Sequence, residues 1–177
     1  MSAIQHVRHL PFTFLGLDFG MARMIGTHGF NNPAALPERL FYSWNLILHK
    51  EAAKYDVRGA WRVKNYRTHF DWNADRNKRV SLNGLVTNAP YFMDEATIRN
   101  YVQGYYDYIP GKGIGVTFIV ESFNKLDENA YIWVTFFDIE TKQVIFATRR
   151  TGRARGMGIR NYWANAVHSV ILSLVNI

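Results

Sequence analysis

Phe12 to Phe19 is rich in aromatic and branched residues, which predicts a strand. Met21 to Ile25 extends it after Gly20, where a bulge or bend is expected. Asn32-Pro33 then sets a helix start, with Pro37 as a second start. Leu36, Leu40, Trp44, Ile47, Leu48 and Tyr55 draw one apolar stripe, so the helix is expected to run to about Tyr55, with Glu38, Lys50, Glu51 and Lys54 on its wet side. Val57 to Phe70 alternates and predicts an edge strand with one half-polar face. Asp71 to Arg79 reads as a polar loop, and Val80 to Val86 fits neither period.

Asp94 caps the next helix, in which Ile98, Tyr101, Val102 and Tyr105 step by three and four. Pro110-Gly111-Lys112-Gly113 closes it. Ile114–Phe123, Ala130–Asp138 and Gln143–Arg150 read as three strands joined by short polar turns, an antiparallel meander. The last helix is the most clearly written: Ile159, Tyr162, Trp163, Ala166, Val167, Val170, Ile171 and Leu174 share a face with no proline or glycine between them. This order, β-α-β-α-β-β-β-α, predicts a single α+β domain over residues 1–177. Its sheet is expected to be mixed but mostly antiparallel, with about five strands and the helices packed on one face. Residues 1–11 are expected to form a flexible N-terminal arm.

Composition agrees with one folded domain. Of the 177 residues, 48% are apolar and 15% aromatic, too many for a disordered chain. The chain has no cysteine, which excludes disulfides, zinc–thiolate sites and a cysteine nucleophile. No apolar run reaches the length of a membrane span. Met1 to His9 lacks the apolar core of a signal peptide and reads equally as a native start or as what remains of a longer one.

Charge singles out the C-terminus. The net charge is +7, from 21 basic and 14 acidic residues. Residues 141–177 hold Lys142, Arg149, Arg150, Arg153, Arg155 and Arg160 and no acid. Arginine suits carboxylates and phosphates, and this loop runs into a helix N-terminus, where free N–H groups favour an anion. Arg149, Arg153, Arg155, Gly156, Gly158 and Arg160 are therefore the candidate anion-binding residues. The competing reading has the glycines supplying only turn conformation, and the arginines solvated or paired with upstream acids. Asp18, Glu121 and Asp138 are the acidic counterparts that lie in or beside strands.

Other constellations carry less. Asp71, Asn73, Asp75 and Asn77 begin a calcium-loop pattern, but Arg76 stands where glycine is needed and Leu82 where the bidentate glutamate is needed. Gly-Lys-Ser/Thr, a complete G-x-G-x-x-G, H-E-x-x-H and G-x-S-x-G are all absent. His49 and Glu51 form a bare H-x-E with no cysteine motif to complete a deaminase. No metal, cofactor or catalytic set is expected, and the sequence leans against an enzyme. Tyr101, Tyr105, Tyr106 and Tyr108 are better read as core and rim than as a base-stacking platform, so nucleic acid is not the favoured partner.

Several stretches together resemble a family of uncharacterised single-domain proteins of the Bacteroidetes. They are Gly16-Leu17-Asp18-Phe19, Trp44-Asn45 with Glu51 and Lys54-Tyr55-Asp56, Phe118–Glu121, Val134–Asp138 followed by Thr141-Lys142, and Gly156–Trp163. The resemblance implies the periplasm or cell envelope and no assigned activity. The element order is also similar to small envelope domains such as the TolB N-terminal domain, at the level of fold alone. Two functions follow as expectations: an envelope-associated, non-enzymatic protein acting through a protein partner or self-association, or a binder of a small anion or polyanion at residues 149–160.

Overall fold

The computed structural model describes residues 4–105 and 108–177. Among them, one sheet is built from β1 (Phe12–Asp18), β2 (Arg23–Ile25), β3 (Tyr66–Thr68), β4 (Val86–Thr87), β5 (Ile114–Asn124), β6 (Asn129–Asp138) and β7 (Val144–Arg153). The α-helices are α1 (Phe41–Lys50), α2 (Val57–Trp61), α3 (Phe70–Asn77), α4 (Glu95–Gln103) and α5 (Ile159–Leu172). None of the described helices is long and apolar enough to cross a membrane.

β5 is the spine. One edge pairs antiparallel with β6, which pairs antiparallel with β7, as the short turns require. The other edge carries β1 alongside Ile114–Ile119 and then β2 alongside Ser122–Asn124, both parallel. β3 adds to β1 and β4 to β2, again parallel. The sheet thus has seven strands with a parallel core, not about five mostly antiparallel ones. The reason is connectivity: β2 continues β1 along the same edge of β5, and helices separate β2 from β3, β3 from β4 and β4 from β5, so that each helical crossover returns the chain in the same direction.

Nor do the helices pack on one face. Ten of the eleven β5 residues are buried, the near-continuous run of a strand covered on both sides. On one face Val116, Phe118 and Val120 meet Trp44 of α1, Trp61 of α2 and Trp163 of α5. On the other, Leu15 and Ile119 meet Trp72 of α3 and Ile98 and Val102 of α4. α5 crosses close over β7: a Cβ on Gly152 would sit 2.0 Å from the Ala166 carbonyl oxygen, so only glycine lets the helix dock.

Two expectations from the middle of the chain change. Val57–Phe70 is not one strand: the Asp56 side chain accepts from the Gly59 N–H at 2.8 Å and caps α2, leaving only β3 extended. Asp71–Arg79 is not a loop but largely α3, whose buried face carries Asn73 and Asn77 among its apolar residues. β3 covers β1 only from Phe12 to Phe14, so beyond that point no strand among the described residues covers the outer edge of β1. Amides replace it. Asn73 donates to the Leu15 carbonyl at 2.9 Å, and Asn77 accepts from the Phe19 N–H at 2.8 Å and donates to the Leu17 carbonyl at 2.9 Å. Asn45 of α1 accepts from the Leu17 N–H at 2.7 Å. Within the expected N-terminal arm over residues 1–11, residues 1–3 lie outside the described ones, Ile4 is buried, and Val7 and Leu10 lie against the core.

Candidate functional site

The six candidate anion-binding residues divide into two groups. Arg149 points from β7 to Glu121 of β5, donating from Nε at 3.1 and 3.2 Å and from Nη2 at 2.6 Å. Arg153 donates to Glu128 at 2.9 Å. Both charges are neutralised within the fold. Arg155 and Arg160 have no carboxylate partner among the described residues.

The acidic counterparts divide as well. Glu121 meets Arg149. Asp18 is buried under α4 instead, accepting from the hydroxyls of Tyr101 at 2.9 Å and Tyr105 at 2.6 Å, with Arg76 of α3 at 3.9 Å. Burial first, then the Asp18 charge, pushes both phenols above their ordinary range. Asp138 closes the β6–β7 turn by accepting from the N–H groups of Glu140 and Thr141. Of the other tyrosines considered for stacking, Tyr108 is exposed and Tyr106 lies outside the described residues.

Arg155, Gly156, Gly158 and Arg160 converge on the N-terminus of α5. The chain turns at Gly156 (φ 106°) and Gly158 (φ 78°), both in the region that glycine tolerates. Gly158 occupies the cap position, with no side chain capping the helix and no acid in its first turn. The N–H groups of Ile159, Arg160 and Asn161 have no acceptor among the described residues. Asn165 donates to the Arg155 carbonyl at 2.9 Å and so ties the loop back to the helix.

Beside this helix start lies a cleft of about 350 Å³. Its far wall is the end of α1 and the turn after it, with Glu51, Lys54 and Tyr55; its near wall is Gly156, Met157, Asn161 and Asn165. Tyr55 is 3% exposed, and its hydroxyl has no hydrogen-bond partner among the described residues. Burial raises the Tyr55 pKa, as does the Glu51 carboxylate, while Arg160 opposes them. The Tyr55 ring meets His168 edge-on at 5.4 Å. Desolvation and the charges of Lys54 and Arg155 hold His168 below the ordinary imidazole range, against a hydrogen bond to the Lys54 backbone. Lys54 and the start of α5 thus line the cleft with one carboxylate, Glu51, and the charges of Arg155 and Arg160 reach His168 and Tyr55 beside it, an arrangement suited to holding an anion.

The calcium-loop pattern has no such outlet. Its asparagines face the β1 backbone from α3, and no group of three or more His, Asp or Glu among the described residues is placed to hold a metal ion. Lys54 and Tyr55 read in the sequence only as the end of an amphipathic helix. Nothing in the spacing of residues more than a hundred apart signals that they face α5.

No family model, curated protein or solved structure matches this chain.

Proposed function

We propose that this protein binds a small anionic ligand through a phosphate or carboxylate group, in the cleft between the end of α1 and the start of α5. The observation that carries the reading is an uncapped helix start, whose first N–H groups have no acceptor among the described residues, beside two arginines with no carboxylate partner among them. Arg149 and Arg153 are left out of the site because Glu121 and Glu128 already occupy them. Arg160 would bind the anion directly, Lys54 and Arg155 would set the local potential, and Asn161 would add a side-chain donor.

The test is thermal unfolding against phosphate, sulfate and citrate at constant ionic strength, since a ligand of the folded state raises the melting temperature with concentration. The expected result is a saturable rise that disappears in Arg160→Ala and persists in Arg153→Ala. A flat response, or the same rise in Arg160→Ala, rejects the site.

One observation favours a second reading, a protein partner or self-association of the kind the envelope resemblance implies. Met157, at the apex of the same loop, is 89% exposed, with Ile159 also exposed nearby. Methionine and arginine together are typical of interface cores. Under this reading Met157→Asp lowers the apparent mass in sedimentation, or ends capture of the partner.

A further inference from the structure

A separate cleft of about 450 Å³ lies at the opposite end of β5 from its start, bounded by Ile25, residues 90–93, Ser122, Asn124, Asp127, Tyr131 and Arg149. We propose that it is a second binding site, for a flat, uncharged ring that carries a carbonyl-type acceptor such as a primary amide.

Arg149, which lines this cleft, is paired with Glu121. Glu121 sits where the β5–β6 register shifts between Val120 and Ser122, so the bulge aims it out of the regular alternation. It is fully buried and accepts from the Met93 N–H at 2.9 Å and the Trp133 indole N–H at 3.0 Å, besides Arg149. A buried ion pair is no more stabilising than well-packed apolar residues of the same size, so packing does not call for these two. What the pair does achieve is a fixed guanidinium. Glu121 engages Nε and Nη2, and the Tyr131 ring lies 4.3 Å from the guanidinium carbon. The Arg149 side chain remains 38% exposed, and its Nη1 donates to no described group. One arginine edge is thereby held rigid and unspent at the cleft, the arrangement of a binding residue positioned by its neighbours.

The rest of the lining narrows the occupant. Tyr91, Phe92 and Met93 give an apolar wall, and Phe92, 77% exposed, stands open to a ligand at its rim. Ser122 adds a buried hydroxyl with no hydrogen-bond partner among the described residues. The charges cancel: Glu121 and Asp127 stand against Arg149 and against Arg23, whose guanidinium lies 5.3 Å from the Tyr91 ring. A neutral, flat molecule whose oxygen reaches Arg149 Nη1 matches these walls, and a free carboxylate does not.

The probes are benzamide and nicotinamide, with benzoate as the anionic control. Binding is read from the Trp133 indole N–H resonance, which reports on the Glu121 end of the cleft. The expected result is a saturable shift with at least one amide and binding of benzoate at least about tenfold weaker. Phe92→Ala, an exposed change that leaves the fold intact, should weaken the amide several-fold. The paired variant Glu121→Gln/Arg149→Met, which leaves no lone buried charge, should abolish it. No saturable shift from either amide overturns the proposal, as does benzoate binding equally well or an unchanged affinity in Phe92→Ala. Should the paired variant fail to fold, Phe92→Ala and the benzoate comparison decide. Because the α1–α5 cleft contains neither residue, this outcome is independent of the anion test.

Discussion

The indole N–H of Trp44 donates to the carbonyl of Arg160 at 3.0 Å, and this bond ties α1 to the first turn of α5. The two walls of the anion cleft are therefore held in register by a residue that does not line it. Trp44→Phe keeps an aromatic ring in the core but removes the bond. It should cost about 1–2 kcal/mol of stability in urea unfolding, the value of one hydrogen bond plus some loss of packing. It should also weaken phosphate several-fold in calorimetric titration. Equal affinity in wild type and variant would mean that the first turn of α5 is positioned by other contacts.

Asn77 takes the place of a strand beside Leu17 and Phe19. Asn77→Leu fills the space with an apolar group yet leaves the Phe19 N–H buried without an acceptor. We expect a loss of about 2–4 kcal/mol, more than the bonds alone supply, because an unsatisfied buried donor also bears its desolvation penalty. The exposed Asn83→Leu serves as the control and should be close to neutral. A loss in Asn77→Leu no larger than in the control would show that water satisfies the β1 edge.

These asparagines also explain what the sequence conceals. The C-terminal half declares itself because its buried faces are apolar: Ile159 to Leu174 keeps helical period without a break, and the three meander strands are separated by turn residues. α3 hides because its buried face is half amide, so Asn73 and Asn77 look like loop residues until β1 is beside them. The parallel half of the sheet hides for a different reason. β2, β3 and β4 are three, three and two residues long, too short to show any period. The arginine-rich loop was legible as a candidate, but pairing was not: Arg149 reaches Glu121 across β6, and the charge of Arg160 acts on Tyr55, more than a hundred residues away in the chain.

His168 makes the charge around the cleft measurable. Desolvation, Lys54 and Arg155 hold its folded pKa below the value of about 6.5 expected in the unfolded chain. The unfolded state therefore takes up the proton first as pH falls. Stability is fully present above the unfolded value, declines as pH drops through the interval down to the lowered folded pKa, and levels off below it. His168→Gln should flatten this part of the profile, read as urea midpoints between about pH 7.5 and about pH 5. An identical pH dependence in wild type and variant would place His168 in ordinary solvent.

The most direct test of the anion site uses the same histidine. The His168 ring proton is titrated by NMR in phosphate and in chloride at equal ionic strength. An anion bound between Lys54, Arg155 and Arg160 offsets the charges that depress His168, so its pKa should rise toward the ordinary value in phosphate and fall back in Arg160→Ala. Titration at the same pH in both salts would contradict an anion site at the start of α5.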